Sequence, residues 1–314
     1  MADLTLNDVP RRDPLWLRLL KSLRLLRESW MAMVGVGIIV FWIAVALLAP
    51  VISPFPYTQQ IPAMVQAPMF STIPEGFMLT SFTDEGMVRT EVSGIYLLGG
   101  DNLGRDVLSR IIWGARPVLF WAPLATFCAY AVGILLGLLA GYRRGWIDDV
   151  LSRVADIILS FPVLVLYVVL ITQLGQSSIN ILLAVTFASA PGIFRIVRGL
   201  TLDLRNRDYV AAAQTRGESQ WYVMFVEILP NARGPLIVDA CLRLGYTTIT
   251  LGVLGFLGLG LPPPDPNWGN LIAENRTIAL TAPHAVVWPC IAISSLVLGL
   301  NMLADGLREI SLKD

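Results

Sequence analysis

Residues 207–231, RDYVAAAQTRGESQWYVMFVEILPN, form a polar and helix-prone stretch between two of the most apolar parts of the chain. Asn206 is a good N-cap, and Asp208 places a negative charge in the first turn, where it suits the helix dipole. Gly217 supplies a left-handed stop, with Arg216 just before it at the carbonyl end. The pattern therefore predicts a helix of about ten residues, too short to cross a bilayer.

A second short helix is predicted directly after the glycine. Ser219 is placed to cap its first turn. The helix should end by Leu229, because Pro230 disfavours helical geometry in the residue before it. The stretch is thus expected to form two short helices that meet at a glycine.

Three alanines, Ala211, Ala212 and Ala213, keep the first helix slim, so another protein could pack closely against its backbone. The stretch carries no obvious catalytic group. The residues alone leave two interpretations open. The helix either docks a soluble partner and receives a movement from it, or it lies on the lipid headgroups.

The composition is that of a membrane protein. The 314 residues are 55% hydrophobic and 15% charged, with a mean hydropathy of +0.66, whereas soluble domains are about 25% charged. Apolar runs of about 20 residues suffice to span the hydrocarbon core as helices. We predict an all-α polytopic protein with six spans, near residues 31–52, 118–141, 155–173, 179–198, 236–260 and 285–304.

Basic residues predict the orientation of these spans. The first 30 residues carry six arginines and lysines, and the first span exceeds the apolar region of a signal peptide, which has about 7–15 residues. It is expected to remain as an anchor. Since short loops rich in Lys and Arg stay in the cytoplasm, both termini and the 199–235 loop are expected inside. The formal net charge of zero gives no reason to expect nucleic acid binding.

The predicted organisation has one long insertion, between the first two spans. Short strands are expected around GMVRTEVSGIYLL, residues 86–98, in an otherwise irregular segment. The division is a cytoplasmic N-terminal tail 1–30, a first span 31–52, an extracytoplasmic segment and amphipathic elbow 53–116, a five-helix core 117–304 that includes loop 199–235, and a cytoplasmic C-terminal tail 305–314.

Charged residues at helical spacing predict local ion pairs. Asp106 and Arg110 are four apart in the elbow, which is expected to lie on the membrane surface before the second span. At the entrance to the third span, Arg153 is four residues from Asp149 and three from Asp156, so these charges are expected to neutralise one another.

Three glycines, Gly252, Gly255 and Gly258, recur every three residues in the fifth span. Such a strip lets another helix approach closely. Two roles remain open, helix packing and a contact that lines a path across the membrane.

The chain is not expected to be an enzyme. It contains no G-x-x-x-x-G-K-[ST] motif, and its only lysines are Lys21 and Lys313, so it lacks the lysine that grips phosphates in a P-loop. His284 is the sole histidine, which gives little support to an intramembrane enzyme. A secondary carrier or channel is the other alternative, with Asp239 as its best ion-binding candidate.

Five ordered segments carry a resemblance to a known family: LLGGDNLGRDVLSRIIWGAR, DDVLSRVADIILSFP, NRDYVAAA, LGFLGLGLPPPDPNWGNLI and NMLADGLRE. Together they resemble the C-type permease of the dipeptide, oligopeptide and nickel family of binding-protein-dependent ABC importers. The 207–231 stretch also resembles the cytoplasmic loop signature of these permeases. Ala211 stands where the signature has glutamate.

The resemblance implies a type I ABC importer permease fold in the inner membrane of a prokaryote, embedded in the lipid bilayer. It implies a homologous B-type permease, two ABC ATPase subunits that use ATP and Mg, and an extracytoplasmic substrate-binding protein. No cofactor would be bound by this chain. Peptides are the commonest cargo, and nickel, opines, glutathione and oligosaccharides remain open. The ATPase-coupling residues would be Arg207, Asp208, Tyr209, Ala211, Ala212, Ala213, Gly217, Glu218, Leu229 and Pro230.

Overall fold

The computed structural model describes residues 29–83, 86–262 and 266–311. The predicted tail 1–30 lies outside these residues except for its last two, as do both lysines. Within the described residues, five helices are long and apolar enough to cross a membrane, and a sharply bent helix pair makes a sixth if it counts as one span. The predicted helical membrane fold is confirmed.

The helices are α1 (Trp30–Ile52), α2 (Val107–Arg143), α3 (Trp146–Ser160), α4 (Val163–Leu174), α5 (Ser178–Leu204), α6 (Asp208–Thr215), α7 (Gln220–Tyr222), α8 (Leu229–Asn231), α9 (Arg233–Phe256), α10 (Trp268–Asn275) and α11 (His284–Ser311). A π-helical segment, Val223–Ile228, joins α7 to α8. The strands are β1 (Ser71–Thr72), β2 (Met78–Thr83), β3 (Gly86–Glu91) and β4 (Ile95–Tyr96).

Small residues bring the long helices close together. A Cβ added to Gly137 of α2 would lie 2.7 Å from the Cβ of Val197 in α5. Gly133 and Gly141, four residues to either side, meet α5 in the same way. Such spacing places all three on one helix face, which lets the two backbones approach. Helices α2 and α5 therefore form the tightly packed centre of the fold.

The third predicted span, 155–173, is not one straight helix. Helices α3 and α4 meet at an angle of 91°. The break falls at Phe161, which is extended with ψ 142°, because the Pro162 ring disfavours the helical conformation in the residue before it. The predicted apolar run is present, but Pro162 divides it into two helices.

The predicted elbow is not a separate surface helix. Helix α2 runs without interruption from Val107 to Arg143, with Pro117 and Pro123 inside it. At about 1.5 Å per residue, this helix is roughly 55 Å long, well beyond the hydrocarbon thickness of about 30 Å. The elbow is therefore a continuation of the second span, and the predicted boundary between 116 and 117 is wrong as a break in the helix.

The segment between α1 and α2 folds around its own small core. Strand β1 pairs with β4 and β2 pairs with β3, both antiparallel, which confirms the strands predicted near residues 86–98. Ile61, Met64 and Tyr96 are almost completely buried and belong to one apolar cluster of this segment. The Tyr96 hydroxyl donates a hydrogen bond to the carbonyl of Gly104, at 3.1 Å. The insertion is thus ordered against the start of α2.

An ion cluster joins this segment to α10. Asp101 is fully buried and accepts hydrogen bonds from Arg105 Nε at 2.6 Å and Arg110 Nη1 at 2.7 Å. The same Arg110 nitrogen also donates to Glu274 of α10 at 2.8 Å. The predicted Asp106–Arg110 pair is wrong, because Asp106 instead caps α2 through the backbone N–H of residue 109.

The ion pairs predicted along α3, Asp149–Arg153 and Arg153–Asp156, are not found among the described residues, where Asp156 has another partner. Asp148 pairs with Arg198 of α5, with Nη2 and Oδ2 2.8 Å apart. Asp156 pairs with Arg195, also on α5. The basic partners come from a neighbouring helix, because α3 packs alongside α5 and offers its carboxylates to it. These pairs tie the first half of the bent span to the central helix.

Candidate functional site

The loop between α5 and α9 starts with α6. Its N-cap is Arg207, whose side chain makes no capping hydrogen bond. The Asn206 cap predicted from the sequence is wrong, because this amide donates instead to the carbonyl of Leu202, at 3.4 Å. Asp208 does lie in the first turn, where its charge favours the exposed backbone N–H groups.

Gly217 ends α6 in the predicted left-handed conformation, with φ +77°. Its N–H donates to the carbonyl of Gln214 at 3.0 Å, and the N–H of Glu218 donates to the carbonyl of Ala213 at 3.2 Å. These two bonds form a Schellman motif, which satisfies the last free carbonyls of a helix. The motif gives the eight-residue helix a defined end.

The two faces of α6 differ in burial. Val210 and Ala213 are completely buried and pack with Val223 and Met224 of the helical segments that follow. Ala211 and Ala212, in contrast, are exposed. The helix therefore fixes itself to the protein through one face and presents small side chains on the other.

The second helix begins as predicted but ends later. Ser219 caps α7 by accepting the N–H of Tyr222, at 3.2 Å. The predicted end at Leu229 is wrong, because the chain continues through the π-helical segment and α8 to Asn231. Pro230 is tolerated since it lies in the first turn of α8, where its missing N–H leaves no helical bond unmade.

Polar contacts tie the loop to the end of α2. Arg205 Nη1 donates to the carbonyl of Tyr142 at 2.9 Å. The Gln214 amide donates to the hydroxyl of the same tyrosine at 3.1 Å, and Arg143 Nε donates to Gln220 at 3.0 Å. A displacement of α6 would therefore be transmitted to α2 as well as to α5.

The other predicted coupling residues are partly exposed. Arg207 lies 3.6 Å from Asp203, and Glu218 lies 3.8 Å from Arg216. Such exposed pairs contribute little to stability, at most about 1 kcal/mol, so these side chains remain accessible to a partner. The Tyr209 hydroxyl is buried without a hydrogen-bond partner among the described residues.

The three glycines of the fifth span have two different roles in the structure. A Cβ on Gly255 would lie 2.9 Å from the backbone nitrogen of Asn270, and a Cβ on Gly269 would lie 2.1 Å from the carbonyl oxygen of Gly252. Helix α10 thus lies directly on α9 at these residues. Gly258, with φ +77° and open space around it, ends α9 instead of packing.

Two other singled-out residues are fully engaged in contacts. His284 begins α11 with its Nε2 3.3 Å from the carbonyl oxygen of Gly100. Asp239 lies in α9, where its Oδ2 accepts from Arg243 Nε at 2.7 Å and from the hydroxyl of Tyr130. Sequence reasoning overlooked Arg243, although its four-residue spacing from Asp239 was a usable signal.

The comparisons with known proteins agree with this architecture. Residues 133–313, more than half of the chain, match the family described as the inner membrane component of binding-protein-dependent transport systems. Residues 19–68 match the N-terminal transmembrane domain of oligopeptide transport permease C. Together the two matches include α1 and all helices from the last part of α2 onward.

Characterised relatives are similar over most of their length. The chain is 34% identical over 290 residues to a dipeptide transport system permease protein of Alkalihalophilus pseudofirmus, covering 92% of this chain and 88% of that protein. It is 35% identical to a di/tripeptide permease protein of Pseudomonas aeruginosa, covering 90% of each. It is 38% identical to a glutathione transport system permease protein of Pectobacterium atrosepticum, covering 69% and 72%.

Proposed function

Because the chain belongs to the family of inner membrane components of binding-protein-dependent transport systems, we propose that it forms half of a path for short peptides. A homologous B-type permease would form the other half. An extracytoplasmic binding protein would deliver the substrate, and two partner ATPases would supply the energy from ATP and Mg. The relatives support the peptide assignment, since their names specify dipeptides, di- and tripeptides and glutathione.

The coupling proposal rests on the two faces of helix α6, one buried and one exposed. The helix is locked to the bundle through Val210 and Ala213 and presents Ala211 and Ala212 outward. A partner ATPase would receive this exposed face, together with Arg207, Asp208 and Glu218. Because Arg205 and Gln214 bond to the end of α2, movement of the docked helix would reach the packed α2–α5 pair.

The coupling role requires the loop to face the ATPases in the cytoplasm. The basic residues of the loop and of both terminal segments support this orientation. The segment between α1 and α2 would then face the outside, where the binding protein docks.

A secondary carrier is less well supported. Asp239, its best ion-binding candidate, already accepts hydrogen bonds from a guanidinium and a phenol. The positive charge of the Arg243 guanidinium beside it opposes the binding of a coupling cation.

Reconstitution in proteoliposomes tests the proposal. The chain is combined with its sister permease, both ATPases and the binding protein, and uptake of L-alanyl-L-alanine and of glutathione is measured. Uptake of at least one peptide is expected only when ATP is present on the side of the membrane that carries the ATPases. It should persist when an uncoupler collapses ion gradients. Uptake by the two permeases without ATPases, or its loss with the uncoupler, would contradict the proposal.

Substitution at Gly217 should weaken coupling through backbone strain alone. Gly217→Val forces a β-branched residue into a left-handed conformation, which costs about 1–2 kcal/mol. Apart from its chain neighbours, none of the described residues has an atom within 4 Å of the added Cβ. We expect slower uptake with normal membrane insertion. Gly217→Asn is the matched control, because asparagine tolerates this conformation. Equal uptake rates in the two variants would argue against a shape requirement at the glycine.

A further inference from the structure

A cavity of about 350 Å³, with both polar and apolar side chains in its lining, lies between α2, α3, α4, α5 and α9. Hydroxyl groups of Tyr167, Ser189, Thr247 and Thr250 contribute to its lining. Arg243 is the only charged residue among the described residues that line it. A volume of this size lies within the range of about 300–1,000 Å³ that is typical of small-molecule sites.

Arg243 lies near the middle of α9, and its side chain is 24% exposed. It is ten residues after the start of α9 at Arg233 and thirteen before its end at Phe256. Asp239 occupies its Nε, while Nη1 and Nη2 lie at the cavity wall, 3.0 and 3.2 Å from where a Cβ on Gly192 would be. Ionisable residues at such depth face the interior of a bundle or a water-filled cavity.

The break between α3 and α4 supports a hydrated cavity. Leu159 and Val163, which flank the break, both line it. The backbone between them is extended at Phe161. Non-helical backbone at membrane depth is tolerated only where it is buried in protein or lines a water-filled cavity, and the residues on both sides of this break line the cavity.

The cavity is open on one side of the chain. At its rim, Tyr246 and Ile249 of α9 are 68% and 41% exposed. Apolar side chains beside hydroxyls and one guanidinium form a surface that can contact both the side chains and the backbone of a small peptide. A second permease placed on the open side would close the cavity into a path.

We propose that Arg243 binds the carboxylate of a peptide as it passes through this cavity, and that Asp239 and Tyr130 hold the guanidinium in place. This inference rests on the proposed function and names a specificity-determining residue of the path. A guanidinium presents five donors in a planar fork that matches a carboxylate, and Asp239 uses one of them. The same group would repel a bare divalent cation such as Ni²⁺.

The test compares loss of the carboxylate alone with loss of both members of the ion pair. Asp239→Asn retains Arg243, whereas the double variant Asp239→Asn/Arg243→Gln replaces both charged groups with amides of similar size. Each is assembled into the complete transporter, and uptake of L-alanyl-L-alanine and of glutathione is measured together with ATP hydrolysis. We expect the double variant to take up peptide at least tenfold more slowly, with assembly and ATP hydrolysis retained. Asp239→Asn, which keeps the guanidinium but loosens its anchor, should slow uptake clearly less than the double variant does.

The outcomes separate this inference from the function on which it rests. If the wild-type transporter hydrolyses ATP but carries neither peptide, the proposed peptide function fails. If the wild type carries a peptide and the double variant matches its rate, Arg243 does not bind the substrate. An equal loss in Asp239→Asn and the double variant would likewise overturn the inference, because the loss would then follow the ion pair and not the guanidinium.

Discussion

Replacement of Ala212 by arginine is expected to abolish ATP-dependent uptake without unfolding the chain. Ala212 lies on the exposed face of α6, so a longer side chain there can extend into solvent. On a slim helix that docks into a partner, however, an arginine would hold the two backbones several ångströms apart. We expect uptake below about one-tenth of the wild-type rate, since misplaced contacts of this kind cost about a hundredfold.

The measurement compares three arginine variants. Each is purified with its sister permease, and ATPase recruitment and thermal stability are recorded. Ala212→Arg should lose recruitment and keep its melting temperature. Ala213→Arg should lower the melting temperature, because that residue is fully buried. Ala63→Arg, at an exposed alanine of the segment between α1 and α2, should change neither property. Normal ATPase recruitment by Ala212→Arg would contradict docking at α6.

The local features of this loop were accessible from the sequence because they depend on neighbouring residues. A glycine stop and a serine cap act within a single turn, and both Gly217 and Ser219 adopt the predicted roles. The end of the second helix was not accessible in this way. Pro230 falls in the first turn of α8 after a π-helical segment, and helical propensities do not encode that irregularity.

The prediction of ion pairs was wrong because these contacts depend on distant residues and not on neighbouring ones. Helical spacing favours partners three or four residues away, but Asp156, which was predicted to pair with Arg153, pairs with Arg195 of α5. Asp148, for which no pair was predicted, binds Arg198 of the same helix. Only the packing of α3 against α5 brings those groups together. Hydropathy likewise located the apolar runs but gave no angle, so the 91° bend within the third span was missed. Sequence thus predicted the fold class and the short-range geometry, while tertiary packing determined the partners.

The cavity could not have been found from the sequence. Its lining comes from five helices that are distant in the chain, and the hydroxyl residues there follow no single period. From the sequence alone, Asp239 and Arg243 are indistinguishable from any ion pair at four-residue spacing on a helix. Only the folded structure shows that the guanidinium lies beside Gly192, where an added Cβ would be 3.0 and 3.2 Å from its Nη atoms and would force it to shift.

Replacement of Asp101 by asparagine is expected to destabilise the chain more than any other single carboxylate-to-amide change. Asp101 is completely buried and accepts four hydrogen bonds, from the backbone N–H groups of Leu103 and Arg105, both at 2.8 Å, and from the side chains of Arg105 and Arg110. Removing one member of a buried ion pair costs about 3–5 kcal/mol, because the other charge is left without compensation.

Glu274 provides a graded comparison within the same cluster. Burial raises the pKa of this carboxyl, but the hydrogen bonds and charges of Arg110 and Arg105 outweigh it, so the pKa lies below its ordinary value. A lowered pKa means that Glu274 contributes stability above the pKa of the unfolded state and loses it as the pH falls through the folded-state pKa. Glu274→Gln should therefore remove a smaller contribution, since its side chain is 37% exposed.

Thermal unfolding of the purified permease pair decides the order of these effects. At neutral pH we expect Asp101→Asn to lower the melting temperature most and Glu274→Gln less, while Glu75→Gln, at an exposed carboxylate of the same segment, should have no effect. If Asp101→Asn behaved like Glu75→Gln, the cluster would not hold the segment between α1 and α2 to α10. That attachment matters because α10 lies directly on α9, the helix that carries Arg243, so a loosened cluster should also slow peptide uptake.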